Sequence, residues 1–167
     1  MLHFYLYSVT SISLVTLYVA TLVLVKGVLR LLLGVEPDDA SREAVANGLG
    51  FLVIALPLWI VHWRWLRGQF ARAQGGGVTA HRFYLFTVVC LNALAIMVGG
   101  SMGARALANA ILGVGPESAQ VWVRTGVAFT AMGLSLFLWL HHWRPLVTVL
   151  GEREWGSQGV TNALRRT

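Results

Sequence analysis

Long apolar stretches alternate with short polar ones along this chain. Residues 4–25, 45–63, 83–104 and 121–143 are built mainly from Leu, Val, Ala, Ile, Gly and aromatic residues. A helix needs roughly 20 such residues to cross the hydrocarbon core of a bilayer. All four stretches qualify, and too little chain remains to cover them with a soluble shell. The first is too long for the apolar part of a cleavable signal, and neither a basic segment before it nor a small-residue cleavage site after it is present. It therefore reads as a span. Glu36-Pro37-Asp38-Asp39 separates the first two stretches and Gly115-Pro116-Glu117-Ser118 the last two. Pro37 and Pro116 are expected to end their helices, since proline lacks an N–H and crowds the preceding turn.

The pattern occurs twice. Phe4-Tyr5-Leu6-Tyr7 reappears as Phe83-Tyr84-Leu85-Phe86, and Leu33-Gly34-Val35-Glu36-Pro37 as Leu112-Gly113-Val114-Gly115-Pro116, both shifted by 79 residues. Lys26 falls on Arg105 in that register. Leu58-Trp59-Ile60-Val61-His62-Trp63-Arg64 returns as Leu138-Trp139-Leu140-His141-His142-Trp143-Arg144, shifted by 80. Internal repetition at a fixed period identifies the structural unit, here a pair of helices. The expected architecture is an all-α bundle of four transmembrane helices. Residues 1–68 and 81–150 form two repeats, joined by a Gly-rich linker at 69–80 and followed by a polar, basic tail at 151–167. Each repeat enters and leaves on one side, so the copies have parallel topology about a pseudo-two-fold axis along the membrane normal.

Composition agrees. The chain is 56% hydrophobic and 12% charged, against about 25% charged in soluble domains. The net charge of +6 is spread over helix ends, so it points to membrane topology and not to nucleic acid. One side holds Arg64, Arg67, Arg72, Arg82, Arg144, Arg153, Arg165 and Arg166. The other holds Lys26, Arg30, Arg42, Arg105 and Arg124, with most of the acids. Basic loops stay in the cytoplasm, which places both termini there. Arg153, Arg165 and Arg166 would meet anionic lipid or a partner at that surface. The single cysteine, Cys90, excludes an internal disulfide.

Small residues let membrane helices approach closely. Ala95, Gly99 and Gly103 form such a stripe in the third span. Ala131 and Ser135 lead to Leu138 and His142 in the fourth, and Phe51, Ala55 and Leu58 to His62 in the second. These faces are expected to form the bundle core or an oligomer contact. Pro57 lies within the second span without a counterpart at the equivalent position of the fourth.

All five histidines, His3, His62, His81, His141 and His142, fall at the arginine-rich ends of the spans. An interfacial belt accounts for them, since Trp59, Trp63, Trp65, Trp139 and Trp143 flank them and arginines follow. A second reading is a cofactor. His62 and His142, equivalent in the two copies, would ligate a haem b from opposite sides or a chlorophyll-type pigment singly. Trp59 and Trp139 would wall it, with Arg64 and Arg144 near its propionates. A metal site from His3, His62, His81 and His142 ranks lower, for want of a carboxylate at that depth. No span contains Asp or Glu, which proton relays and cation pathways use. No catalytic constellation or phosphate-binding loop is present either, so an enzyme is not expected.

The Phe-Tyr-Leu-Tyr start, the Gly-Val-x-Pro turn and the Leu-Trp-x-x-His-Trp-Arg ending resemble an uncharacterised family of bacterial integral membrane domains built from tandem two-helix repeats. The resemblance covers residues 2–150 and implies no activity. Three functions stay open: a non-catalytic subunit packing against other membrane proteins or itself, a haem- or pigment-binding electron- or energy-transfer subunit, and an oligomeric pore or transporter.

Overall fold

The computed structural model describes the backbone of residues 2–35, 39–70, 76–114 and 118–164, and the side chains of 5–35, 39–68, 81–114 and 119–147. It is a bundle of four long helices: α1 (Leu2–Leu32), α2 (Asp39–Phe70), α3 (Gly76–Leu112) and α4 (Ser118–Leu164). At 1.5 Å per residue even α1 is about 46 Å long. Each helix carries a stretch long and apolar enough to cross a membrane.

The helices outrun the expected spans. α1 and α3 do not stop at Lys26 and Arg105 but continue to Leu32 and Leu112. Most of the residues expected to be linker are helical, since α2 holds to Phe70 and α3 starts at Gly76. Residues 71–75, with Arg72, lie outside the described part. The backbone of 151–164, within the segment read as a polar, basic tail, continues α4. The extensions of α1 and α3 past Lys26 and Arg105 are rich in Leu and Ala, both good helix formers. Arg165 and Arg166 fall outside the described residues.

Glycine, and not the expected proline, ends α1 and α3. Gly34 and Gly113 both adopt φ 65°, a left-handed conformation in which a Cβ is strained. The amide of Val35 donates to the Arg30 carbonyl at 3.0 Å, and that of Val114 to the Asn109 carbonyl at 3.0 Å. Both are the six-to-one closure of a Schellman turn. Pro37 and Pro116 lie outside the described residues.

α1 packs along α2 and α3 along α4, making two hairpins. Gly48 of α2 lets α1 come so close that a Cβ there would lie 2.8 Å from the Leu24 backbone nitrogen. In the second hairpin Gly103 of α3 faces Ala128 and Phe129, and Gly99 faces the backbone of Ala128 and Met132. The hairpins join unequally. α1 packs on α4, whereas α2 barely meets α3. The Tyr18 hydroxyl fastens the α1–α4 seam, 3.2 Å from the Ala131 carbonyl and 3.0 Å from the Ser135 hydroxyl. Tyr18 donates to the carbonyl, so Ser135 donates to Tyr18. Further along, Leu29 lies over Gly126, where a Cβ would come within 2.6 Å of its methyl.

Among the described residues a buried hydrophobic cluster lies toward the arginine-rich end, with Leu6, Trp63, Leu66, Tyr84, Leu85, Leu138 and Leu146 among its members.

Candidate functional site

All four helices send aromatic or imidazole rings into that end. α1 contributes Tyr7, α2 Trp59 and Trp63, α3 His81 and Tyr84, and α4 His141 and His142. The Trp63 ring centroid lies 4.9 Å from His142, 5.6 Å from His141 and 6.3 Å from Tyr84. Tyr7 lies 5.3 Å from Tyr84 and 6.0 Å from His81. Trp59 stacks on Trp63 at 6.2 Å. Since α2 stands away from the α3–α4 hairpin, its two tryptophans fill the gap that backbone packing leaves.

His142 is wholly buried. Its Nδ1 lies 2.9 Å from the Leu138 carbonyl. A carbonyl only accepts, so Nδ1 carries the proton and a neutral ring presents a bare lone pair at Nε2. That atom has no protein partner, and neither do the Tyr84 hydroxyl, His141 Nε2 and the indole N–H groups of Trp59 and Trp63. Buried polar atoms without partners cost free energy unless water or a ligand meets them. The set combines indole and phenol donors with an imidazole acceptor and no carboxylate. It suits water or a small neutral polar group better than an ion.

His62 takes a different position. Its Nδ1 also bonds back within its helix, 2.8 Å from the Leu58 carbonyl. Its ring partner, however, is Tyr5 at 6.2 Å, on the outside of the bundle. The structure does not bring His62 and His142 face to face. With His142 fully enclosed by Trp63, Tyr84 and His141, no open side remains for a macrocycle, so the residues do not fit a haem or pigment held between the two histidines. Trp139 stacks on Trp143 at 5.3 Å, half-buried against the core. Arg64 and Arg144 are exposed at the same end. His81 is buried in the cluster, and the side chain of His3 lies outside the described residues. Among the described residues no three His, Cys, Asp or Glu are grouped to hold a metal ion.

The small-residue faces divide between two interfaces. Gly99 and Gly103 close α3 on α4, while Ala131 and Ser135 meet Tyr18 at the α1–α4 seam. Ala95 faces a cleft between α1 and α3. On α2, Ala55 is buried but Phe51 and Leu58 point outward. Sequence reasoning overlooked Trp63, Tyr84 and Tyr18 as interior groups. Tyr84 sat within the Phe-Tyr-Leu echo, which was a signal, whereas nothing in the pattern singled out Tyr18.

Residues 3–120 match the family described as Domain of unknown function (DUF5671), and the chain belongs to it. The match takes in α1 to α3 and stops as α4 begins, so His141 and His142 lie beyond it. No curated protein and no solved structure matches the chain.

Proposed function

We propose that the protein is an integral membrane subunit without catalytic chemistry of its own, which packs against partner membrane helices or a second copy of itself. The observation that carries this reading is the direction in which the polar groups turn. Thr10, Ser13, Thr16, Thr21, Asn92, Thr125 and Thr130 each bond to the carbonyl four residues back in their own helix. Satisfied locally, they line no polar path, and the helices present apolar side chains outward. The bundle buries only 11–28% of each helix's most apolar stretch. The remainder needs lipid or other helices against it. α2 has the lowest share, 11%, with Phe51, Val53, Ile54 and Val61 exposed along it.

The chain is a duplicated two-helix unit about a pseudo-two-fold axis along the membrane normal. The matching Schellman turns at Gly34 and Gly113 support this. So do the pairs Tyr5–His62 at 6.2 Å and 62° and Tyr84–His142 at 6.1 Å and 66°. Both termini face the cytoplasm, on the arginine balance given above, and a bacterial inner membrane is the location that the family resemblance implies.

Cysteine cross-linking in native membranes tests the packing role. With Cys90→Ser as background, Ile54→Cys on α2 is expected to form a disulfide-linked species or a partner adduct, and Met97→Cys on α3 is not. Absence of adducts across α2, in a protein monomeric in mild detergent, overturns the reading. Membrane insertion is read separately, by resistance to alkaline carbonate extraction. Orientation is read by labelling Gly34→Cys with an impermeant maleimide from outside intact cells.

A further inference from the structure

The α2 and α4 backbones do not pack on one another among the described residues. Rings alone bridge them. Trp63 of α2 reaches His141 and His142 of α4, with Tyr84 of α3 alongside. The joint is closed to solvent, since Trp63, Tyr84 and His142 are each more than nine-tenths buried. Its polar atoms are nonetheless unsatisfied. The indole N–H of Trp63, the hydroxyl of Tyr84 and the bare Nε2 of His142 have no protein partner, and neither has Nε2 of His141. Polar groups buried in that state destabilise the fold unless a ligand meets them.

Size and hydrogen-bonding capacity define what fits. The ring centroids lie 4.9–6.3 Å apart, which is contact distance for aromatic rings. Nothing with a ring or a chain of its own enters between them. The ring planes are inclined at 43–66°, and inclined rings leave wedges at their edges that stacked rings do not. Into those wedges the Trp63 N–H and the Tyr84 O–H can donate. Nε2 of His142 can accept, and so can Nε2 of His141 in the tautomer that keeps its proton on Nδ1. Water accepts two hydrogen bonds and donates two. Ammonia accepts only one, and an alcohol donates only one. Buried waters typically make about three such bonds, and they bridge polar groups that stand too far apart to bond directly.

We infer that a structural water molecule is bound in the ring cluster, accepting from Trp63 and Tyr84 and donating to His142 and His141. It joins α2 to α4. The inference stands on the ring cluster and holds whatever packs against the outer faces. It goes beyond packing, because it makes this joint a polar one, held by a replaceable molecule and not by interlocked helices.

Magnetisation transfer from water to the indole protons tests it, in 15N-labelled protein held in deuterated detergent micelles. The Trp63 indole resonance is identified by its loss in Trp63→Phe. A bound water gives that proton a cross-peak of opposite sign in laboratory-frame and rotating-frame spectra, whereas chemical exchange gives the same sign in both. The peak of opposite sign is expected in the native protein. It should persist in Tyr84→Phe, which removes the hydroxyl that could relay it and leaves the water three partners. His142→Phe, whose larger ring fills the wedge, should lose it. Absence of the peak from the native protein overturns the proposal, as does its loss in Tyr84→Phe or its survival in His142→Phe. A through-bond coupling between Trp63 Nε1 and His142 Nε2 overturns it too, since only a direct hydrogen bond transmits one. Should His142→Phe fail to fold, the native and Tyr84→Phe spectra decide between them.

Discussion

The first hairpin, α1–α2, and the second, α3–α4, are alike inside and unlike in their surroundings. Inside each, a tyrosine on the leading helix meets a histidine on the following one edge-to-face, with that histidine bonded back to a carbonyl one turn earlier. Helix contact is also preserved, though the small residue changes sides. Leu24 meets Gly48 in the first hairpin, and Gly103 meets Ala128 at the corresponding place in the second. The surroundings diverge. Tyr84 and His142 are 6% and 0% exposed, whereas Tyr5 is 52% exposed. Trp63 is 6% exposed and its counterpart Trp143 43%. Local geometry thus follows from the hairpin, and burial follows from how the hairpins meet. A few residues explain why they meet unequally. Tyr18, Ser135 and Gly126 hold α4 to α1. In the repeat register the counterparts of Tyr18, Ser135 and Gly126 are Met97, Ala55 and Ala46, which supply neither the hydrogen bond nor the seat for a leucine methyl, and Met97 stays 70% exposed.

The comparison breaks most sharply at the tryptophans. Trp63→Ala removes the ring that roofs His142 and joins α2 to the other hairpin. The expected loss is about 3 kcal/mol, the low end for a buried aromatic, because on the membrane reading proposed above lipid, and not water, surrounds the helices. Trp143→Ala should stay within about 0.5 kcal/mol. Reversible unfolding in mixed micelles measures both. Equal losses would mean that burial at this end does not differ between the hairpins.

Next come the glycines. A methyl at Gly48 meets the Leu24 backbone, which cannot swing aside, so Gly48→Ala should cost about 2 kcal/mol by overpacking. At Gly103 the nearest atoms stand at 3.6 Å and belong to side chains, so Gly103→Ala should be tolerated. The double variant Gly48→Ala with Leu24→Gly tests whether the small residue can change sides. Recovery of the Gly48→Ala loss would show that the two contacts are interchangeable solutions of one geometry.

Two further variants should not differ. Gly34→Ala and Gly113→Ala each force a Cβ into the left-handed region, at about 1 kcal/mol apiece. Unequal losses in the same unfolding assay would separate the two turns and weaken the case for duplication.

Much of this was legible in the sequence. Apolar length marked the four helices, and the aromatic echoes located the two hairpins and the end where the rings gather. The helix stops were misread because a proline is a louder breaker than a glycine, yet Leu-Gly-Val was itself part of the repeated motif. The pairing of His62 with His142 was misjudged for a deeper reason. Repetition fixes equivalent depth and equivalent local bonds, but not which face turns inward. That depends on the seam between hairpins, set by Tyr18 and Gly126, for which a periodic pattern carries no signal.

The smallest expected effect bears most directly on that seam. The Tyr18–Ser135 bond should contribute about 0.6 kcal/mol, typical of a hydrogen bond between membrane helices. A double-mutant cycle of Tyr18→Phe and Ser135→Ala measures it as a coupling energy. A coupling near zero would leave the fit of Leu29 over Gly126 as the cause of the asymmetry. A coupling of the expected size makes a stronger claim testable, because Met97→Tyr with Ala55→Ser would write the same bond into the α3–α2 seam. Closer approach of those helices, read as cross-linking between paired cysteines placed one turn along, would mean that two side chains suffice to draw a seam together. Failure to approach would mean that Trp63, already filling the gap, holds α2 where it stands.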